Sequence, residues 1–172
     1  MNRPRRRPVR VMTARDAEAA ASLFGLLMEE LKGYVPDHLR EGYRRMHDAD
    51  GIREMLRDRR SVMLVACDGE AIAGFLLGRA EGGMGTIHWL RTHPDFRDRG
   101  YGHSLHFAAM EEFRRRGCLQ AVIWVFPDAR EIVEFYAREG FEAGEAVSGE
   151  YFGIALRQMT KTLRAPTPAE AT

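Results

Sequence analysis

The spacing of apolar residues along this chain changes several times, and each change marks an element. Val9 to Met12 reads as a short strand. Behind it, Thr13-Ala-Arg-Asp16 has the form of a capping box with Asp in place of the usual Glu. Ala20, Leu23, Phe24, Leu27, Met28 and Leu31 then recur at three- and four-residue steps, the stripe of an amphipathic helix that stops near Gly33. Two more helical stretches follow, over about Asp37–Met46 and Ile52–Arg59. Their polarity suggests that they cover a sheet edge.

From Val62 the pattern favours strands. Val62–Cys67 is rich in β-formers and ends at Asp68-Gly69, a two-residue hairpin turn, from which Ala71–Gly78 returns antiparallel. A glycine-rich turn over residues 82–85 leads into a third strand, Thr86–Thr92. His93-Pro94-Asp95-Phe96 breaks it, and after a glycine-bearing loop a helix runs from about His103 to Arg116, with Gly117 as its C′ residue. Ala121–Val125 is a fully apolar strand. As the second strand of a strand–helix–strand unit it should lie parallel to Thr86–Thr92, because such crossovers are right-handed. Asp128-Ala-Arg-Glu131 reads as another capping box, opening a helix with Ile132, Val133, Phe135 and Tyr136 on its apolar side and Gly140 at its end. Phe141 begins a closing hairpin whose second strand covers roughly Tyr151–Leu163. The expected fold is α+β: a three-layer α/β/α sandwich on a mixed, mostly antiparallel sheet with one parallel central pair.

Composition narrows the setting. A length of 172 residues suits one well-buried core, expected over residues 9–163, with a disordered basic arm at 1–8 and a disordered tail at 164–172. The net charge of +1 exerts no general pull toward nucleic acid or an acidic membrane. No apolar run approaches the ~18 residues of a membrane span, and no apolar segment of a secretory signal follows the arginines at 3, 5, 6, 7 and 10. Those arginines are not interleaved with aromatics for base stacking, so a solvated arm is the simpler reading. Cys67 and Cys118 lie far apart without a His partner at zinc spacing, so no metal is expected and a reduced, cytoplasmic setting is.

Arg97-Asp98-Arg99-Gly100-Tyr101-Gly102 stands between a strand and a helix N-terminus. The glycines let backbone turn tightly and approach a ligand, while the helix start offers unpaired N–H groups and the positive end of its dipole. With Arg97 and Arg99 nearby, the segment suits a pyrophosphate. It lacks the Gly-Lys-Ser/Thr of a P-loop and the G-x-G-x-x-G of a dinucleotide fold. On these residues alone an ordinary strand-to-helix turn fits equally well.

Arg-x-x-Gly-x-Gly after a strand and Pro-Asp-Phe, opening a helix, resembles motif A of the GNAT N-acetyltransferases, whose consensus is Gln/Arg-x-x-Gly-x-Gly/Ala. Glu134-Phe-Tyr-Ala-Arg-Glu-Gly-Phe141 is similar to that family's motif B, and one helix and one apolar strand separate the two, as in the family. Many members carry Asn near the start of the motif B helix; the matching position here is Ala129, beside Asp128.

The resemblance implies an acetyl-CoA-dependent N-acetyltransferase acting by direct attack of a primary amine in a ternary complex. It implies that the central parallel strands splay around CoA and that backbone at Leu90, Arg91 and Thr92 holds the pantetheine arm. Motif A groups from Arg97, Asp98, Arg99, Gly100, Tyr101, Gly102, His103 and Ser104 would hold the pyrophosphate. Tyr136 matches the tyrosine that donates a proton to the departing thiolate, and its other reading is a core aromatic. His88 aligns with a strand histidine that relays the amine proton in arylalkylamine acetyltransferases. Its other reading is a strand residue facing solvent or a packed neighbour. The family's alternative strand glutamate is missing, since Thr86, Ile87, Trp89 and Leu90 cannot serve. His93 reads as structural, and His103 and His106 as residues of the motif A helix.

The acceptor is a small-molecule or peptide amine whose identity the residues leave open, with Glu29, Glu30, Tyr34, Tyr43, Glu150 and Tyr151 as pocket candidates. A homodimer is left open, and neither a membrane nor nucleic acid is expected as partner. Two rival classes remain: a non-catalytic acetyl-CoA sensor, and a nucleic-acid-associated protein using the arginine-rich start.

Overall fold

One carboxylate organises the first turn of the chain. Asp16 accepts a fork from Arg10 (Nη1–Oδ2 2.7 Å, Nη2–Oδ1 2.8 Å), together with the Thr13 amide at 2.7 Å and the Thr13 hydroxyl at 2.9 Å. The expected Asp-for-Glu arm of the capping box is thus present. The Arg10 hydrogen bonds outweigh the cost of burial and hold the Asp16 carboxyl well below the usual carboxylate range.

The computed structural model describes residues 6–151 and 154–163, without the side chains of 145–154; the tail at 164–172 lies outside the described residues. The elements in chain order are β1 (Val9–Val11), α1 (Ala17–Glu30), α2 (Asp37–Met46), α3 (Ala49–Met55), β2 (Ser61–Asp68), β3 (Ala71–Glu81) and β4 (Met84–Thr92). They continue with α4 (Tyr101–Arg115), β5 (Gln120–Val125), α5 (Arg130–Arg138), β6 (Glu142–Tyr151) and β7 (Ile154–Thr162). The strands form one mixed sheet in the order β1-β2-β3-β4-β5-β7-β6, the expected α+β sandwich. β4 and β5 pair in parallel from Met84↔Gln120 to Ile87↔Ile123, whereas β1–β2, β5–β7 and β6–β7 are antiparallel. No helix among the described residues is long and apolar enough to cross a membrane.

The chain divides into two compact units. The first comprises residues up to 77 and 89–109. Its core joins Phe24 and Met28 of α1, Tyr43 of α2 and Ile52 of α3 to Met63, Val65, Phe75 and Leu77 of the strands. α2 and α3 therefore contribute to a core instead of covering a sheet edge. Their polarity is satisfied internally: the buried Arg40 donates to the Met28 carbonyl in the last turn of α1 at 3.1 Å and pairs with Asp37. α3 starts three residues before the expected Ile52, because Asp48 caps it by accepting the Gly51 amide at 2.8 Å.

The second unit comprises residues 78–88 and 110 onward. Gly85 of β4 sits against the Phe113 ring, which a Cβ would meet at 2.4 Å, so the strand glycine marks a close approach. The crossover helix α4 and the following helix α5 both end in Schellman motifs. At Gly117 (φ 78°) the Cys118 amide reaches Phe113 O at 2.9 Å, and at Gly140 (φ 84°) the Phe141 amide reaches Tyr136 O at 2.9 Å. Tyr151 ends β6 instead of opening β7. The cap of α5 differs from expectation as well: Ala129 is the N-cap, with no side-chain cap bond, and the Asp128 carbonyl accepts the Arg130 amide at 2.9 Å.

The arm expected to be solvated over residues 1–8 is engaged at its end. Pro8 O accepts the Cys67 amide at 3.0 Å, one step beyond the Val9↔Ala66 pair of the β1–β2 ladder. Residues 1–5 lie outside the described residues.

Asp16→Asn should cost about 1–3 kcal/mol at neutral pH, since charge-assisted bonds at a buried site weaken. The wild-type carboxyl has a folded pKa depressed well below the ~3.9 of an unfolded Asp, so its contribution is complete above that value and is lost progressively as the pH falls from there through the folded pKa. Thermal melts of the two proteins should differ most at pH 5–8, and the gap should narrow as the pH is lowered from about 4 toward about 2. A constant gap across that range would assign the stabilisation to packing.

Candidate functional site

The segment between β4 and α4 belongs wholly to the first unit. Pro94–Phe96 forms a single 3-10 turn, capped by His93, whose Nδ1 accepts the Asp95 amide at 3.2 Å. The His93 amide is bonded to Ala73 O at 2.8 Å, which makes His93 structural, as expected. The chain then reverses through two left-handed residues, Asp98 (φ 58°) and Gly100 (φ 85°). Asp tolerates that region better than most side chains, and glycine adopts it freely.

The first i→i−4 bond of α4 is Ser104 N to Gly100 O at 3.1 Å. The amides of Gly100, Tyr101 and Gly102 precede it, at the positive end of the helix dipole. Both ends of the expected donor stretch are already committed to the fold. The Arg97 amide bonds Pro94 O at 3.3 Å, and the Ser104 hydroxyl donates to Gly100 O at 3.0 Å while accepting the Arg7 amide at 2.9 Å. Ser104 is buried and braces the loop.

The arginines are also spoken for. Glu30, at the end of α1, pairs with both Arg91 and Arg97. Burial alone would push the Glu30 carboxyl up, but hydrogen bonds from Arg91 and Arg97 outweigh it and the carboxyl sits below its ordinary value. Arg91 is buried, and its Nε has no hydrogen-bond partner among the described residues. The Arg99 guanidinium lies 5.5 Å from the Phe96 ring centroid, and Phe96 meets the Tyr101 ring edge-on at 5.8 Å. Tyr101 is buried, and burial together with a hydrogen bond to Asp68 raises its phenol pKa. Its side chain is thus a core group, and only its backbone faces the helix start.

Leu90 and Thr92, at the end of β4, are half-buried. A Cβ on Gly74 of β3 would stand 2.6 Å from Arg91 O, so this strand glycine lets the end of β4 pass closely. That signal was present in the sequence as a glycine inside a strand.

Of the acceptor candidates, Glu29 is paired with Arg44 and Glu30 holds the two arginines. Tyr43 joins an aromatic cluster in which Trp89 meets Tyr43, Phe24 and His47 edge-on at 5.6, 5.2 and 6.0 Å. His47 stacks on Phe24 at 4.1 Å and its Nδ1 lies 2.9 Å from Tyr43 O. Tyr34 is exposed. The side chains of Glu150 and Tyr151 lie outside the described residues.

The two candidate catalytic side chains belong to the second unit. Solvent reaches His88 on β4, yet the protein around it disfavours the imidazolium, and the Arg79 charge adds to this, so its pKa is lowered and the ring is neutral at neutral pH. Tyr136 on α5 is 3% exposed. Burial, with a smaller effect from Glu139, raises its pKa strongly and keeps the phenol protonated. The Schellman motif fixes its backbone, and the Phe135 and Phe141 rings meet it edge-on at 5.1 and 5.3 Å. The Gly-Phe of the second motif thus closes the helix and packs the tyrosine at once. His103 and His106 lie on α4, as expected, with His106 buried.

The model of the acetyltransferase (GNAT) family matches residues 23–141. An uncharacterized N-acetyltransferase of Methanocaldococcus jannaschii is 35% identical over 102 residues, 59% of this chain and 43% of that protein. An acetyltransferase of Yersinia enterocolitica is 30% identical over 86 residues, 50% of this chain and 61% of that one. The chain spans about half the length of these curated relatives. Among solved structures, PaiA N-acetyltransferase from Thermoplasma acidophilum, in complex with coenzyme A, has a TM-score of 0.77 at 16% identity, covering 90% of this chain and 98% of that one. This last likeness is one of fold. The matched segment contains both Arg97–Gly102 and Glu134–Phe141, and the chain belongs to the acetyltransferase (GNAT) family.

Proposed function

We propose that the protein transfers an acetyl group from acetyl-CoA to a primary amine. The observation that carries this reading is the start of α4: two left-handed residues turn the loop, and amides at Gly100, Tyr101 and Gly102 precede the first helical bond. Such a helix start fits a pyrophosphate. Arg97 and Arg99 are engaged elsewhere in the first unit, which leaves backbone from Asp98 to His103 as the main phosphate ligand. Leu90, Arg91 and Thr92 would hold the pantetheine arm with backbone groups, as the family resemblance implies.

In the proposed reaction the neutral amine nitrogen attacks the thioester carbonyl, the C–N bond forms, the C–S bond breaks and CoA leaves. The amine must lose a proton and the thiolate gains one. Tyr136 is proposed as the donor to sulfur: its phenol is protonated at neutral pH, and because burial makes it a weaker acid than a free tyrosine, the transfer relies on a thiolate formed close beside it. His88 is proposed as the acceptor of the amine proton, directly or through water, because its lowered pKa keeps the imidazole neutral at neutral pH. The acceptor is a small-molecule or peptide amine, and a screen of amine classes by thiol release identifies it.

Acetyl-CoA at ~100 times its dissociation constant should stabilise the protein by ~2.7 kcal/mol, a shift of several degrees in Tm that NAD and ATP do not match. Absence of any shift at millimolar acetyl-CoA would remove the cosubstrate assignment. Gly102→Val should weaken acetyl-CoA binding more than it weakens the fold, by placing a branched side chain at the helix start.

Tyr136→Phe keeps the ring packing and should lower kcat by ~10²–10⁴ with acetyl-CoA affinity nearly unchanged. A variant within about threefold of the parent, roughly 0.65 kcal/mol in barrier, would return Tyr136 to a packing role. His88→Gln should depress the rate most near neutral pH and recover partly at high pH, where more acceptor arrives deprotonated. A profile parallel to the parent at every pH would leave water as the base.

A further inference from the structure

The arginine-rich start contains one residue with two independent holds on the phosphate loop. Arg7 donates its backbone N–H to Ser104 Oγ at 2.9 Å and its side-chain Nε to the Arg99 carbonyl at 2.8 Å. Its guanidinium also lies 5.1 Å from the Tyr101 ring centroid, and the Arg6 guanidinium lies 3.8 Å from that of Phe107, further along α4. Pro8 O bonds the Cys67 amide of β2 at 3.0 Å, so the arm is fastened to a strand immediately after these contacts.

We propose that Arg7 is a positioning residue that aims the phosphate-binding amides of Gly100 and Tyr101. This rests on the reading of the loop as the acetyl-CoA pyrophosphate site. The argument follows from peptide planarity. The Arg99 carbonyl and the Gly100 N–H belong to one rigid peptide unit and point in opposite directions. A hydrogen bond that draws the Arg99 oxygen toward Arg7 therefore turns the Gly100 N–H away from the arm. The next unit is set in the same way: Ser104 Oγ donates to the Gly100 carbonyl at 3.0 Å, which orients the Tyr101 N–H, and the Arg7 amide fixes Ser104 Oγ from its other side.

Without Arg7 the loop keeps its glycine and its helix, but the peptide planes lose an external reference. The left-handed Asp98 immediately precedes the first of these units, so the backbone there departs from the conformation most side chains prefer and benefits from a fixed neighbour. An amide that must be oriented on binding loses affinity relative to one already aimed. The effect falls on the pyrophosphate and spares the acetyl end.

The test compares Arg7→Ala, Arg7→Lys and the parent in the full chain. Titration with acetyl-CoA gives the dissociation constant, and steady-state assays give kcat and kcat/KM with acetyl-CoA and with S-acetylpantetheine, a donor that lacks the pyrophosphate. Arg7→Ala keeps the backbone amide that bonds Ser104 and removes the side-chain bond to the Arg99 carbonyl, so it should weaken acetyl-CoA binding about tenfold, the loss expected for one charge-assisted hydrogen bond, with kcat within about twofold. Its kcat/KM for S-acetylpantetheine should match the parent, and Arg7→Lys should recover part of the loss because an ammonium also reaches a carbonyl. Equal acetyl-CoA affinity in Arg7→Ala and the parent would overturn the proposal while leaving the site intact. Equal losses with both donors would overturn it too, as general damage to the fold. A parent protein that does not bind acetyl-CoA would instead overturn the reading of the loop.

Discussion

A helix cannot satisfy its own first amides, and this constraint shapes the site-bearing part of the molecule. At α4 the strand before it must turn sharply, so the chain uses left-handed backbone at Asp98 and Gly100 before the helix begins. The result is a row of N–H groups at the start of α4, whose direction depends on a few peptide planes. Much of what surrounds the loop fixes those planes. His93 caps the turn before it, Ser104 holds Gly100 from inside the helix, and Arg7 holds both Ser104 and Arg99.

The arginine excess has a related logic. A loop with several guanidiniums suggests anion binding by charge, yet Arg97 and Arg99, both exposed, already have partners. Glu30 collects Arg91 and Arg97 on one carboxylate, and Arg99 lies over Phe96. Recognition by oriented backbone survives where the side chains are engaged, and it discriminates by shape as well as by charge. The same carboxylate ties the end of α1 to β4 and to the loop before α4.

The elements that were legible in the sequence are those whose signal is local. The α1 stripe, the parallel β4–β5 pair and the glycines closing α4 and α5 all follow from period and turn chemistry, as does the hairpin after β2, although its turn falls on Gly69-Glu70, one residue later than the expected Asp68-Gly69. α2 was misplaced because its polarity masks long-range compensation: Arg40 is buried only because Met28 O and Asp37 receive it. The Asp128 cap failed where Ala129 took the position, and the Asp16 cap succeeded where Arg10 reinforced it. In the site, the loop residues were legible from Gly100 and Gly102. The roles of Glu30 and Arg7 were not, since their partners lie 61 and 97 residues away. Composition marked the N-terminal arginines only as charge.

Tyr136 shows why motif and core are hard to separate in this fold. The Gly140 turn brings the Phe141 amide back to the Tyr136 carbonyl, and the Phe141 ring then packs against the tyrosine. A merely structural aromatic would be held in the same way. Burial opposes the phenolate and holds the proton on Tyr136, which makes the phenol a weaker acid than a solvated one and leaves closeness to sulfur to drive the proposed transfer. At His88 the shift acts on the opposite charge: although the residue is exposed on β4, the protein around it and the Arg79 charge oppose the imidazolium. The proposed acid on α5 is therefore a group whose proton the fold already holds, and the proposed base on β4 is one whose charged form the fold already opposes.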